Sequence, residues 1–175
     1  MKRIVFLTLL LFTLFGCSNQ NAVIVGDLAK FDLYGPVKTA THVIDEDYTI
    51  ESEFDASGVR IELSDLAKKE YDKLGRLSHE EDETGDYTFE YDRNNRIVKM
   101  IETDWDNNQR IYVFKFDKNG TAIKQQNPDG SYILFSEHVL DQFNNWTQRK
   151  YRILRDETVV EEGMEKREID YYPQP

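Results

Sequence analysis

The residues able to do chemistry are mostly carboxylates, and their densest group is Glu80-Glu81-Asp82-Glu83. Two carboxyl groups held roughly 5 to 10 Å apart across a cleft can hydrolyse a glycosidic bond. A run of four acids ending at Thr84-Gly85 reads more simply as a solvated hairpin end, which leaves a small carbohydrate-active enzyme using surface carboxylates as the alternative. Asp104, Asp106 and Asn108 match the first three ligand positions of a calcium loop. Gln109 then stands where the turn glycine is needed and Lys115 replaces the bidentate glutamate, so no metal site is expected. His42, His79 and His138 are scattered, without HExxH or a neighbouring cysteine, and read as structural or exposed. Ser131 and Ser136 lack a Gly-x-Ser-x-Gly elbow, and no phosphate-binding glycine loop occurs. Asn119-Gly120-Thr121 and Asn145-Trp146-Thr147 fit the glycosylation sequon and are read as turns. The expectation is a protein without catalytic residues or cofactor.

One reactive side chain remains, the single cysteine, Cys17. It follows Lys2, Arg3 and an apolar run ending at Leu14-Phe15-Gly16, the layout of an export signal. An exported chain with one cysteine has no internal disulfide to form, so the thiol needs another purpose. The stretch Leu14-Phe15-Gly16-Cys17 resembles the lipobox of bacterial lipoproteins. That resemblance implies removal of residues 1–16 and acylation of Cys17 by a diacylglycerol and often a third fatty chain such as palmitate. Two or three chains anchor a protein stably to a membrane, whereas one binds only marginally. The alternatives are an ordinary secretory signal and an uncleaved anchor helix. Ser18 and the following Asn19-Gln20-Asn21 carry neither the aspartate associated with inner-membrane retention nor an acidic run associated with surface display. The implied location is an outer-membrane anchor facing the periplasm.

The chain has 175 residues, with 22 Lys and Arg against 33 Asp and Glu, a formal charge of -11. Loss of residues 1–16 removes two cations and no acid, which brings the charge to about -13. Such a polyanion is repelled by DNA and RNA, so no nucleic-acid partner is expected. No second stretch is apolar enough to span a bilayer as a helix. The domain reading is a signal over 1–16, a lipid-anchored tether over 17–34 ending in an irregular segment or short helix, and one domain over 35–175.

Within that domain one pattern recurs: an aromatic or aliphatic residue, Asp, two variable residues, then Gly or Asn. It pairs Asp55 with Gly58, Asp72 with Gly75, Asp92 with Asn95, Asp117 with Gly120 and, more loosely, Asp141 with Asn144. The aspartates recur every 17 to 25 residues or so, a spacing of one supersecondary unit per repeat. Asp at the first turn position can accept bonds from backbone NH groups ahead of it, and Gly or Asn at the fourth tolerates positive φ. Such corners join antiparallel strands. Tyr87, Phe89 and Tyr91 alternate with polar residues, as do Tyr112, Phe114 and Phe116, giving half-buried strands with one aromatic face. Thr84-Gly85-Asp86, Asp106-Asn107-Asn108 and Asn127-Pro128-Asp129-Gly130 mark turns at the other end. Val37, Thr39, Thr41 and Val43 alternate near the start of the domain, and Ile169 and Tyr171 near its end.

Tyr71-Asp72-Lys73-Leu74-Gly75-Arg76-Leu77 resembles the YD repeat, also called the Rhs repeat, with a second good copy at Tyr91-Asp92-Arg93-Asn94-Asn95-Arg96-Ile97. Asn144-Asn145-Trp146-Thr147 is similar to a Gly-Asn-Trp variant in small envelope lipoproteins with such repeats. The strands and corners read as an all-β antiparallel meander of repeated hairpins, about ten to twelve strands, whose aromatic face must curl the sheet or fold it into a partial barrel, and the resemblance implies the same architecture. Long arrays of this repeat form hollow shells around a cargo, and five repeats are too few for that. The aromatic rows are expected to form the core, and Trp105, set among Asp104, Asp106 and Asn107, is the candidate exposed contact. Together these features imply a non-enzymatic envelope module that meets the membrane through Cys17 and binds or scaffolds an envelope protein or a glycan.

Overall fold

The alternation of apolar and polar side chains is realised as eleven strands in a computed structural model, which describes residues 26–43, 49–61 and 67–173. Cys17, the export signal and the first part of the expected tether lie outside the described residues. The strands are β1 (Val37–Val43), β2 (Thr49–Glu53), β3 (Lys68–Tyr71), β4 (Leu77–Asp82), β5 (Gly85–Tyr91), β6 (Ile97–Thr103), β7 (Gln109–Phe116), β8 (Ala122–Gln126), β9 (Tyr132–Leu140), β10 (Trp146–Arg155) and β11 (Thr158–Tyr171). A 3-10 turn at Leu28–Phe31 is the only helical element among the described residues. All strands belong to one antiparallel sheet ordered β2-β1-β11-β10-β9-β8-β7-β6-β5-β4-β3. The chain therefore meanders from β3 to β11, and the β1–β2 hairpin adds to the far side of β11.

The expected aspartate corners close as the sequence implies. Asp72 Oδ1 accepts from the NH groups of Leu74 and Arg76 at 2.8 and 3.1 Å. Asp55, Asp92, Asp117 and Asp141 each take the NH groups two and four residues ahead in the same way. Gly58, Gly75, Asn95, Gly120 and Asn144 all have φ between 65° and 94°. The same closure recurs at the opposite end of the strands, at Asp104–Asn108 and Asn127–Ser131. Beside three corners the strand register slips, at Glu70/Tyr71, Glu90/Tyr91 and Lys115/Phe116. A slip of this kind is a bulge, which sharpens the local twist, and bulges repeated at one end of successive hairpins curl the sheet.

Neighbouring repeats are locked by the arginine that follows the corner. Arg76 grips Asp72 through Nε and Nη2, reaches Asn95 Oδ1 of the next corner at 2.9 Å, and lies 4.4 Å from the Tyr91 ring centroid. Arg96 grips Asp92 likewise and lies 4.6 Å from the Phe116 ring. Each arginine thus ties its own turn to the aromatic residue that opens the next one.

Curling brings the two edge strands together. In a flat sheet of eleven strands they would stand about 48 Å apart, at roughly 4.8 Å per strand. Here two consecutive residues reach both edges. Gly26 NH bonds to Gly75 O in the β3–β4 corner, and Asp27 NH bonds to Gly58 O in the corner after β2. Among the described residues no ladder pairs β2 with β3, so the sheet is an open curl stitched at one end rather than a closed barrel.

The chain then runs from this seam through the inside of the curl. Leu28 and Leu33 are fully buried with Val37, Ala40 and Phe54, while Leu77, Phe89 and Ile97 form a second cluster. Ala29 touches both clusters, so residues 26–34 act as an internal strap joining the two halves of the core. In β1 the expected face of Val37, Thr39, Thr41 and Val43 is interrupted. A register slip after Val37 turns Ala40 and His42 inward, and Thr39 bonds the exposed Asp170 instead. In β11 exposure alternates from Gly163 onward, with Glu165, Arg167, Ile169 and Tyr171 on the half-buried parity.

Gly26 has φ +63, and a Cβ there would lie 2.5 Å from the Gly58 carbonyl carbon and oxygen. Gly75 has φ +75 but open space around it. Gly75→Ala should therefore lose about 1 kcal/mol, the cost of left-handed backbone alone, while Gly26→Ala loses clearly more in urea unfolding. Equal losses would contradict the close seam.

Candidate functional site

Between the strap and the concave face lies a cavity of about 300 Å³. One wall is apolar: Phe89, Ile97, Met100, Phe114 and Phe116 come from β5, β6 and β7. The aromatic rows face inward as expected, but they line a hollow as well as filling a core. Five repeats are too few to hold a macromolecular cargo, yet they leave a small-molecule space.

The opposite wall carries charge. Arg149 in β10 donates from Nε to Glu165 Oε2 at 2.5 Å, and its guanidinium lies 3.7 Å from the Phe135 ring and 4.0 Å from the Trp146 ring. Arg167 in β11 lies 3.7 Å from the same indole and donates from Nη1 to the main-chain carbonyl of Asp32 at 3.2 Å. Burial lowers both guanidinium pKa values, Arg167 to about 10, still above neutral pH. Four cationic side chains line the cavity. Lys30 pairs with Glu80, Arg96 with Asp92 and Arg149 with Glu165, whereas Arg167 makes no ion pair among the described residues.

His42 stands opposite Arg167 in the β1–β11 ladder, with its ring 5.3 Å from Trp146 in an edge-on contact. Burial lowers its pKa, Arg167 and Arg149 push the same way, and Glu165 only partly opposes them. Its Nε2 is buried without a hydrogen-bond partner, as are Trp146 Nε1 and His138 Nε2.

The strap is pinned from below by Asn145, which is wholly buried. Its Oδ1 accepts from Tyr34 NH at 2.6 Å, and its Nδ2 donates to Tyr34 O at 2.9 Å and to the Tyr171 hydroxyl at 2.7 Å. The Asn-Asn-Trp sequence therefore builds the site: Asn144 supplies the turn, Asn145 holds the strap, and Trp146 packs against both guanidiniums. The sequon at Asn145 is inaccessible in this arrangement.

The remaining sequence candidates do not converge. Glu80 is buried against Lys30 rather than solvated, which corrects the expectation for the first acid of the run. Glu81 pairs with Lys68 on the other strand parity, and Asp82 accepts from Thr84 in the hairpin turn. Asp104 spends its carboxylate on the NH groups of Asp106 and Asn108, in the same closure as the YD corners. Burial would raise Asp72 and Asp92, but bonds from Arg76 and Arg96 outweigh it and hold both below the usual carboxylate range. Trp105 is 61% exposed at the β6–β7 turn, where its Nε1 donates to Glu83 O at 3.1 Å. It lies outside the cavity. Arg149 and Arg167 escaped sequence reading, although Arg167 shares its alternation parity with Ile169 and Tyr171.

Residues 71–111 match the family model for the RHS Repeat, which establishes the repeat read at Tyr71 and Tyr91. No curated protein matches the chain. Among solved structures, a porin-like protein from Bacteroides uniformis superposes with a TM-score of 0.40 at 11% identity, over 78% of this chain and 98% of that one, a likeness too remote to bear on the function.

His42 and His138 both have lowered pKa values, burial being the first cause in each. Below the ordinary histidine range the unfolded chain then binds more protons than the folded one, so stability should fall as pH drops from 7.5 to 5.5. Chemical unfolding of the double variant His42→Asn, His138→Asn should show a flatter profile across that window, and an unchanged slope would refute the assignment.

Proposed function

We propose that the protein is a lipid-anchored envelope lipoprotein whose curled sheet is a binding module and not an enzyme. The observation that carries this reading is the cavity, where aromatic and cationic side chains from distant repeats meet under an internal strap. The groups suited to acid–base chemistry are engaged in structure: Glu80 with Lys30, Asp82 with Thr84 and Asp104 with Asn108. The placement of Glu80 to Glu83 therefore gives the carbohydrate-active alternative no support. In this reading the cavity on the concave face holds a small ligand, and an envelope partner, a protein or a glycan, meets the outer surface, where the exposed Trp105 indole offers a contact.

Anchoring rests on Cys17 and the segment before it. Acylation would hold the seam end of the domain within roughly 30 Å of the membrane, the extended reach of the nine residues from Cys17 to Gly26. Expression of the full chain with a clickable palmitate should label the wild type and leave Cys17→Ala unlabelled and unprocessed. Equal labelling of both, or none of either with unchanged electrophoretic size, would overturn the lipoprotein reading. Fractionation of the labelled protein with the outer membrane checks the proposed location.

A further inference from the structure

Resting on the binding-module reading, we propose that the cavity takes an apolar monocarboxylate, its body against the Phe89–Phe114 wall and its carboxylate on Arg167. The wall chemistry selects the body. Phe89, Phe114 and Phe116 line a space of about 300 Å³, at the lower end of what small-molecule pockets occupy, roughly 300 to 1,000 Å³. Against that wall a sugar would set hydroxyls on rings, and each polar group buried without a partner costs free energy.

The head is selected by the donors. Arg167 uses Nη1 on the Asp32 carbonyl and makes no ion pair among the described residues, so part of its planar fork remains to bind an acceptor. A carboxylate matches that fork, and in a partly buried site the charge-assisted bond is roughly twice as strong as a neutral one. The Asp32 and Glu165 carboxylates act on Arg167 through space, but neither forms an ion pair with it: Glu165 is held by Arg149, and the bond from Asp32 is through its carbonyl. The neighbouring His42 Nε2 makes no hydrogen bond, its nearest acid being Glu165 Oε1 at 4.0 Å, and it is a further polar atom at the same end. Trp146, stacked by both guanidiniums, fixes where the fork stands.

The test titrates the full chain in lipid nanodiscs with 2-naphthoate and with its neutral isostere 2-naphthamide, subtracting empty nanodiscs. The expected result is saturable one-site binding with the acid preferred by about tenfold or more. Arg167→Met should abolish that preference while leaving the amide's affinity within about twofold, and Arg167→Lys, which keeps charge without the fork, should keep part of it. Circular dichroism melts establish that each variant is folded, and the lysine variant decides the matter if the methionine variant is not. Equal binding of acid and amide to the wild type would overturn the carboxylate assignment and leave the binding module standing. Binding of neither would overturn the cavity as a ligand site altogether.

Discussion

A buried aspartate holds the two ends of this sheet together. Asp27 is 1% exposed, and its carboxylate accepts from Arg60 NH at 2.8 Å, Lys69 Nζ at 2.7 Å and the Tyr71 hydroxyl at 3.0 Å. Those partners come from the corner beyond β2 and from β3, the opposite edges of the eleven-stranded sheet. An isolated carboxylate in that position would cost several kcal/mol, and removing one partner of a buried pair typically costs about 3 to 5 kcal/mol. The bonds that satisfy the charge therefore also fix the curl. Without them the polar contacts of the seam would reduce to three main-chain bonds, from Gly26 NH and Asp27 NH and from Leu77 NH to Gly26 O.

The rest follows from that constraint. A repeat with a bulge beside each corner supplies twist, but twist alone leaves an open, half-solvated ribbon. The seam turns it into a trough, and the strap that begins at the seam divides the trough into core and cavity. Asn145 and Tyr34 hold the strap's other end, so the hollow has two fixed supports. Arg149 and Arg167 can remain charged inside because aromatic rings cover their faces while Glu165 and the Asp32 carbonyl meet their edges.

The repeat, the corners and the antiparallel meander were legible because each is encoded within a few residues. Asp, the two residues after it and a Gly or Asn specify a turn locally, and the alternating aromatics specify a face. The strap was not legible. Leu28 and Leu33 are separated by charged and aromatic residues with neither strand nor helix period, so 26–34 read as the end of a tether. Glu80 sat in an acidic run that implied solvent, and only the distant Lys30 explains its burial. The slip in β1 exchanged one face for the other because a shift of one residue reverses every side chain. The cavity joins residues from β1 to the final strand, a juxtaposition set by curl and seam rather than by any local signal.

The most direct test of this account is the distance between the sheet edges, measured by electron spin resonance between labels at Glu51→Cys on β2 and Glu70→Cys on β3, both exposed positions. The account predicts a short, narrow distribution that becomes long and broad when Asp27→Ala is added, approaching the roughly 48 Å of an uncurled sheet. An unchanged short distance in the Asp27→Ala protein would show that something other than this carboxylate closes the curl.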